Sequence, residues 1–296
     1  PDTAEAARFA DYRAAGVNWL SIGVQSLDDD KLAALGRIHS AREAVAAYEL
    51  ARAARIDNIN LDMMYGLPGQ SPAQAIADLR GLIGLGPEHL SWYQLTLEPN
   101  TLFHHRPPDD LPDDDRLCDI MDAGQALLAD AGFVQYEISA YARAARECRH
   151  NRNYWEFGDY LGIGAGAHGK LTREDRVIER ATRPRNPTDY LAGAGRADGV
   201  RRKAVEPAEL PVEFMLNALR LAGGVAAASF EQRTGLPLSA IDEPLAPDAE
   251  RLISDHGLDR WIRDMRIRYA ESPTPGDTLD RLVGLTALTV LAAARG

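Results

Sequence analysis

Hydrophobic positions along the first 141 residues follow two alternating patterns. Runs rich in β-branched and aromatic residues, typical of buried strands, occupy residues 17–24, 58–64 and 89–97. Around these runs apolar residues recur at helical spacing, which predicts helices over residues 3–15, 29–35, 41–55, 72–85 and 116–131. The chain therefore reads as a repeated order of strand, loop and helix.

Start signals support three of these helices. Asp28 and Ser40 precede the second and third helical segments, and both residue types accept hydrogen bonds from the free N–H groups of a first turn. Ser71-Pro72 opens the fourth, where proline at the first turn loses no helical hydrogen bond. The Pro- and Asp-rich segment 106–115 predicts a solvated loop before the fifth.

Two more strands are predicted, at residues 133–141 and 160–164. Alternating strands and helices predict an α/β fold with a parallel sheet, open or rolled into a partial TIM-like barrel, with ligand chemistry in the loops after the strands. We assign residues 1–186 to this unit.

The character of the sequence changes after residue 186. Residues 193–203 are polar and predict a connecting segment, and residues 210–221 form an amphipathic helical pattern. Shorter helical patterns follow from residue 230 and from residue 244. We therefore assign residues 187–296 to a small, mainly helical C-terminal domain of winged-helix-like type, whose simplest role is packing against the first domain.

Charge and composition limit the functional classes. A net charge of −11 and a pI near 5.1 argue against general affinity for nucleic acid or an anionic membrane surface. Runs of about 18 apolar residues, the minimum for a membrane-spanning helix, do not occur. The only cysteines are Cys118 and Cys148, which favours a reducing cytoplasm over a disulfide framework. The chain begins at Pro1 and runs straight into a helical pattern, as a fragment would.

The stretch from 149 to 169, RHNRNYWEFGDYLGIGAGAHG, carries the densest candidate chemistry. His150 offers an imidazole for a metal or a hydrogen bond, and Tyr154 and Trp155 offer aromatic faces with polar ends. Alternating glycines, which let a ligand approach the backbone, follow at Gly162, Gly164 and Gly166. Either half alone fits an ordinary aromatic cluster or a glycine-rich turn, but together they favour a ligand site.

Three polar residues near the predicted strands extend this picture. Gln25 directly follows a strand, Arg37 lies twelve residues further on, and Asp62 lies within an apolar strand. An unpaired buried carboxylate is strongly destabilising, so Asp62 requires a protein donor or a ligand hydroxyl as partner. Taken one at a time, Gln25 fits an exposed amide, Arg37 a surface ion pair and Asp62 a buried carboxylate with a hydrogen-bond partner. Taken together, the three residues favour ligand binding.

Seven motifs follow one another along the chain: SIGVQS, GRIHS, NINLDMMYGLPGQ, YQLTLEPNT, QYEIS, HNRNYW and GIGAGAHG. Together they resemble the radical S-adenosylmethionine (SAM) family of oxygen-independent coproporphyrinogen III oxidases, and the resemblance covers residues 1–235. The resemblance implies a radical SAM barrel and the cofactors SAM and a 4Fe-4S cluster. By position it implies SAM binding by Gln25, Arg37, Asp62 and Thr96. It also places the loop containing Gly162, Gly164 and His168 beside that site.

The family contains oxidases that decarboxylate porphyrinogen propionates and chaperones that bind heme. The HNRNYW block resembles the chaperones, which implies heme bound at His150, Tyr154 and Trp155, with His150 as an axial ligand of the iron. Heme would then pass to heme-requiring respiratory proteins, and those recipients would give peripheral membrane association. The oxidase remains the alternative enzyme, and a third alternative is a binding fragment without cofactor.

The sequence departs from the family in three places. The C-x3-C-x2-C cluster motif is absent, and Cys118 and Cys148 cannot replace three thiolates. The glycine-rich SAM segment after that motif is missing too, so we expect about three barrel strands to precede this chain. The ending LVGLTALTVLAAARG only weakly matches the family ending T-x-x-G-x-x-F-L.

Overall fold

The computed structural model describes residues 3–97, 101–196 and 199–241, with side chains described from residue 8 onward. The chain divides by its internal contacts into two compact units, Pro1–Glu147 and Cys148–Gly296. This division falls earlier than the predicted boundary at residue 186, because residues 168–204 contribute a sheet of their own. The predicted domain boundary stays a prediction.

The first unit alternates helices and strands, as the hydrophobic pattern predicts. Its elements are α1 Thr3–Ala14, β1 Leu20–Gln25, α2 Asp29–Ala34, α3 Ala41–Ala53, β2 Ile59–Tyr65, α4 Pro72–Gly84, β3 His89–Gln94, α5 Leu102–His105, α6 Asp114–Asp130, β4 Val134–Glu137 and β5 Ala140–Ala142. The five strands form one sheet in the order β1-β2-β3-β5-β4. Pairing is parallel from β1 to β3, which confirms the predicted parallel arrangement, and antiparallel at β5 and β4.

The predicted start signals act as expected in α2, α3 and α4. Asp28 accepts from the first turn of α2, and capping boxes pair Ser40 with Glu43 and Ser71 with Gln74. Each box satisfies N–H groups that a helix start would otherwise leave without a partner.

One face of β1–β3 packs against helices α3, α4 and α6. Strand residues on this face, including Leu61, Leu90 and Trp92, share a single apolar core with residues of those helices. The packing is close enough to require glycine at position 124 of α6, since a Cβ there would lie 1.9 Å from the Trp92 ring.

The single strand predicted over residues 133–141 is wrong. The segment folds back as the hairpin of β4 and β5, because Ile138 and Ser139 form a tight turn. Flanking side chains satisfy that turn: Gln135 donates to the Ile138 carbonyl at 2.9 Å, and Glu137 accepts from the Ser139 N–H at 3.1 Å.

The second unit combines a small sheet with helices. Its elements are α7 Arg149–Trp155, β6 His168–Thr172, β7 Ile178–Thr182, α8 Pro187–Ala192, β8 Arg201–Ala204, α9 Leu210–Ala218 and α10 Ala227–Thr234, with 3-10 turns at Pro207–Glu209 and Leu238–Ile241. The strands form an antiparallel sheet in the order β6-β7-β8. Phe157, Phe214 and Phe230 stack edge to face in the core of this unit. The helices predicted from residue 244 and the chain ending lie outside the described residues.

Two predictions in the second unit are wrong. Residues 160–164 are not a strand, because Gly164 and Gly166 adopt positive φ angles of 107° and 73° that turn the chain, leaving one isolated bridge from Tyr160 to Lys170. The end of the predicted connecting segment, residues 201–203, is instead part of strand β8, which pairs with β7. Throughout the ranges that the structure describes, every helix is too short or too polar to cross a membrane.

Candidate functional site

The face of β1–β3 opposite the helices is polar. Strand alternation and register bring together Ser21, Gly23, Asn60, Asp62, Met64, His89, Ser91 and Tyr93, which we call the open face. Asn60 and His89 are buried, whereas Asp62 and Tyr93 are half-buried. A ligand can therefore reach the middle and the carboxyl end of these strands.

Asp62 is anchored at the centre of the open face by two protein donors. Ser21 Oγ donates to Asp62 Oδ2 at 2.8 Å, and Asn60 Nδ2 donates to Asp62 Oδ1 at 2.7 Å. A carboxylate has about four lone-pair sites, so these bonds leave acceptor capacity for a ligand hydroxyl. The partner that the sequence analysis requires for Asp62 is thus present within the protein.

Gln25 ends β1 in a left-handed conformation, with φ of 69°. Such angles are unfavourable for residues other than glycine and cluster at functional sites. Its side chain is buried, and its Oε1 accepts a hydrogen bond from the Tyr93 hydroxyl at 2.9 Å. Glycine at position 23 makes room for this amide, because a Cβ there would lie 2.6 Å from Gln25 Nε2.

Tyr93 joins the candidate residues and was missed by the sequence analysis. Burial raises the pKa of its hydroxyl, the negative charge of Asp62 raises it further, and the positive charge of Arg37 opposes this shift. Arg37 itself is exposed in the loop after α2. The fold therefore gathers Gln25, Arg37 and Asp62 around Tyr93, and Thr96 lies exposed two residues beyond β3.

In the second unit α7 carries the aromatic block. The exposed His150 ring packs edge to face against the Tyr154 ring, with the ring centroids 4.5 Å apart. The Tyr154 and Tyr160 rings also pack edge to face, with centroids 4.4 Å apart. Burial raises the pKa of Tyr154, and the neighbouring Tyr160 and Cys148 raise it further. His150 and Tyr154 thus form one accessible aromatic pair.

Trp155 has a different environment from His150 and Tyr154. The guanidinium of Arg220 lies 4.2 Å from the centre of the Trp155 ring, within the range of a cation–π contact. Its indole Nε1 is buried and has no hydrogen-bond partner. The tryptophan therefore also supports the packing of α7.

Gly162, Gly164 and His168 border one loop of the second unit. A Cβ on Gly162 would lie 2.3 Å from the His168 carbonyl oxygen, so only glycine lets the two ends of the loop approach each other. The Gly164 N–H donates to the Tyr190 hydroxyl at 3.1 Å, and His168 is exposed at the start of β6. The predicted SAM set is thus divided between the two units.

Comparison with known proteins identifies the class. The family model of the radical SAM superfamily matches residues 1–80, and that of the HemN C-terminal domain matches residues 205–258. The solved structure of coproporphyrinogen III oxidase (HemN) from Escherichia coli, a radical SAM enzyme, matches with a TM-score of 0.67 over 95% of this chain and 66% of that chain. At 19% identity this likeness shows the fold, which is the radical SAM fold.

Relatives of higher identity narrow the class. The heme chaperone HemW of Haemophilus influenzae is 50% identical over 261 residues, covering 88% of this chain and 67% of the relative. That of Escherichia coli is 51% identical over 236 residues, covering 80% and 61%. The mitochondrial radical S-adenosyl methionine domain-containing protein 1 of Bos taurus is 43% identical over 190 residues, covering 60% and 42%. The chain belongs to the HemW family of radical SAM proteins, which confirms the resemblance, and it spans 61% to 67% of these bacterial relatives.

The cysteines of the chain do not fit a 4Fe-4S cluster. Cys118 is exposed on α6 of the first unit, and Cys148 is buried at the start of α7 in the second. Two thiols cannot supply three thiolate ligands. Within the described part of the chain, the structure also lacks a group of three or more His, Cys, Asp or Glu side chains able to hold a metal ion.

Proposed function

We propose that this chain is part of a heme chaperone, which binds heme and delivers it to heme-requiring proteins. The observation that carries the proposal is the 50% identity to a heme chaperone over 261 residues. Respiratory proteins as recipients, peripheral membrane association through them, and a cytoplasmic location stay predictions from the sequence.

SAM is the proposed ligand of the first unit. Gln25, Arg37, Asp62 and Thr96 would hold it, and their hydrogen-bonding groups fit this ligand. The Gln25 amide, the Arg37 guanidinium and the Asp62 carboxylate lie around Tyr93 at the carboxyl end of the open face. SAM supplies ribose hydroxyls, an adenine ring and a charged amino acid group to match them. Gly162, Gly164 and His168 belong to the second unit, and their part in SAM binding stays a prediction from the sequence. The 4Fe-4S cluster implied by the family would need thiolates beyond the two in this chain.

Heme is proposed to bind at α7, with His150 as axial ligand and Tyr154 and Trp155 as apolar contacts. His150 is exposed and its ring is held against Tyr154, so the imidazole is accessible to an iron. His150→Ala should shift or abolish the Soret band of the heme-loaded protein. Trp155→Ala should weaken heme binding without changing the ligation spectrum, because it removes apolar contact rather than a metal bond.

A matched control separates ligation from stability. His168→Ala removes another exposed histidine of the same unit and should leave the Soret band unchanged. A thermal melt should accompany each heme titration, because Trp155 also packs against Arg220. Lower stability of His150→Ala with an intact Soret band would contradict the heme proposal at this helix.

Coproporphyrinogen III oxidase activity is the second candidate, favoured by the structural likeness to HemN over 95% of this chain. Iron and sulfide analysis of protein purified without oxygen tests whether a cluster is bound at all. A decarboxylation assay with coproporphyrinogen III on the same preparation then tests the oxidase, and we expect no turnover above background. Measurable decarboxylation would favour the oxidase over the chaperone.

A further inference from the structure

A chain of hydrogen bonds leads from Asp62 into the interior of the first unit. Asn60 Nδ2 donates to Asp62 Oδ1 at 2.7 Å and to Ser21 Oγ at 2.8 Å, which uses both of its N–H groups. Asn60 Oδ1 is bound by His89 Nδ1 at 2.7 Å, and His89 Nε2 by the Tyr136 hydroxyl at 2.8 Å. We call the Tyr136–His89–Asn60 series the relay.

The chemistry of the groups fixes the direction of every bond in the relay. Asp62 accepts, so the amide of Asn60 must present its nitrogen to Asp62 and its oxygen to His89. His89 must then carry its proton on Nδ1 and accept from the Tyr136 hydroxyl at Nε2. A flipped Asn60 amide would place its oxygen against the carboxylate oxygen of Asp62, so that two acceptors would face each other.

Burial keeps the relay in this state. The His89 side chain is fully buried, between the edges of Trp19 and Tyr136, and burial lowers its pKa from 6.5 to about 4. The imidazole therefore stays neutral at physiological pH, with one donor and one acceptor nitrogen. Both nitrogens have partners within the protein, so His89 has no free group for a ligand.

We propose that His89 is a positioning residue for ligand binding: acting through Asn60, it holds the Asp62 carboxylate in the orientation that accepts the ribose hydroxyls of SAM. This inference rests on the proposed binding of SAM at the first unit. A carboxylate held in place before binding loses less side-chain freedom when the ligand arrives. Hydroxyl recognition, rather than general affinity, is the property that the relay controls.

The test compares SAM with an analogue that lacks both ribose hydroxyls, by calorimetric titration of the full chain. A hydrogen bond to a charged group corresponds to about a tenfold or greater preference, so the unaltered protein should prefer SAM by that factor. His89→Phe, which keeps an aromatic ring but no donor, should lose most of this preference. His89→Asn, which can still donate to Asn60, should restore part of it.

Leu90→Ala is the matched control, because Leu90 is fully buried on the opposite face of the same strand. It should lower the melting temperature while leaving the hydroxyl preference unchanged. A His89→Phe protein that keeps the full preference would overturn the proposal. So would an unaltered protein that binds both ligands equally.

A measurement without ligand separates this inference from the proposed function. The side-chain amide protons of Asn60, held by Asp62 and Ser21, should exchange slowly with water in nitrogen NMR spectra and faster in His89→Phe. Faster exchange together with no SAM binding by either protein would support the positioning of Asp62 and overturn SAM as ligand. Unchanged exchange would overturn the relay itself.

Discussion

Mild acidification should destabilise the first unit through His89. The folded protein keeps this imidazole neutral down to about pH 4, whereas the unfolded chain takes up a proton below about pH 6.5. The stability that depends on neutral His89 is thus fully present above pH 6.5 and is lost progressively as the pH falls towards 4. A pKa difference of about 2.5 units corresponds to about 3 kcal/mol, of which about 2 kcal/mol is lost between pH 7 and pH 5.

Urea unfolding at pH 7 and pH 5 measures this loss, with Trp19 as a fluorescent reporter 5.9 Å from the His89 ring. The same measurements on His89→Phe provide the reference, since subtraction cancels the carboxylates that titrate in both proteins. The pH-dependent loss should be smaller by about 2 kcal/mol in the variant. If His89→Phe will not fold, His89→Gln takes its place. Equal pH dependence in the unaltered protein and the variant would refute a buried neutral His89.

Three further predictions follow from individual contacts. Asp62→Ala should weaken SAM binding by about 1–3 kcal/mol, measured by calorimetry, and unchanged affinity would remove Asp62 from the site. Replacing Gln25 and Arg37 singly and together should give coupled losses in SAM affinity, whereas strict additivity would place them at separate sites. Asp159→Asn should lower the free energy of unfolding by about 2 kcal/mol in a thermal melt, because the buried ammonium of Lys170 would lose the carboxylate 3.0 Å away. A melting temperature equal to that of the unaltered protein would count against this ion pair.

Local signals in the sequence are sufficient to predict most helices and strands of the first unit. The period of the apolar residues identified β1, β2 and β3, and side-chain caps at Ser40 and Ser71 identified two helix starts, because both signals act within a few residues. The observed helix ends differ from the predicted ones by one or two residues, because the terminal turns of helices fray. The parallel order of the strands followed from the helices between them.

The open face could not be derived in the same way. Residues 58–64 contain enough apolar side chains to read as a strand buried on both faces, although Asn60 and Asp62 alternate with them. The pairing of Asn60 with His89 joins residues 29 positions apart, which only the register of β2 with β3 reveals. Tyr93 could have been found from the alternation in residues 89–93, where every second position is polar and so belongs to the same face of the strand.

Strand β8 shows why charge can conceal a strand. Its side chains are all exposed, and three of its four residues, Arg201, Arg202 and Lys203, are basic. Such a segment has no apolar alternation to detect, so its structure depends on backbone pairing with β7. Edge strands commonly carry such charges, which discourage pairing with another chain.

The end of β1 links the backbone to the site. A regular strand would continue its alternation at Gln25, but the register shifts between Gly23 and Gln25, and Gln25 turns to a positive φ. This conformation is unfavourable by about 1–3 kcal/mol unless the surroundings hold it. The Tyr93 hydroxyl bonds the side-chain oxygen of Gln25, and glycine at position 23 leaves space for its nitrogen. The left-handed conformation at Gln25 therefore places its amide beside Tyr93, among the residues proposed to bind SAM.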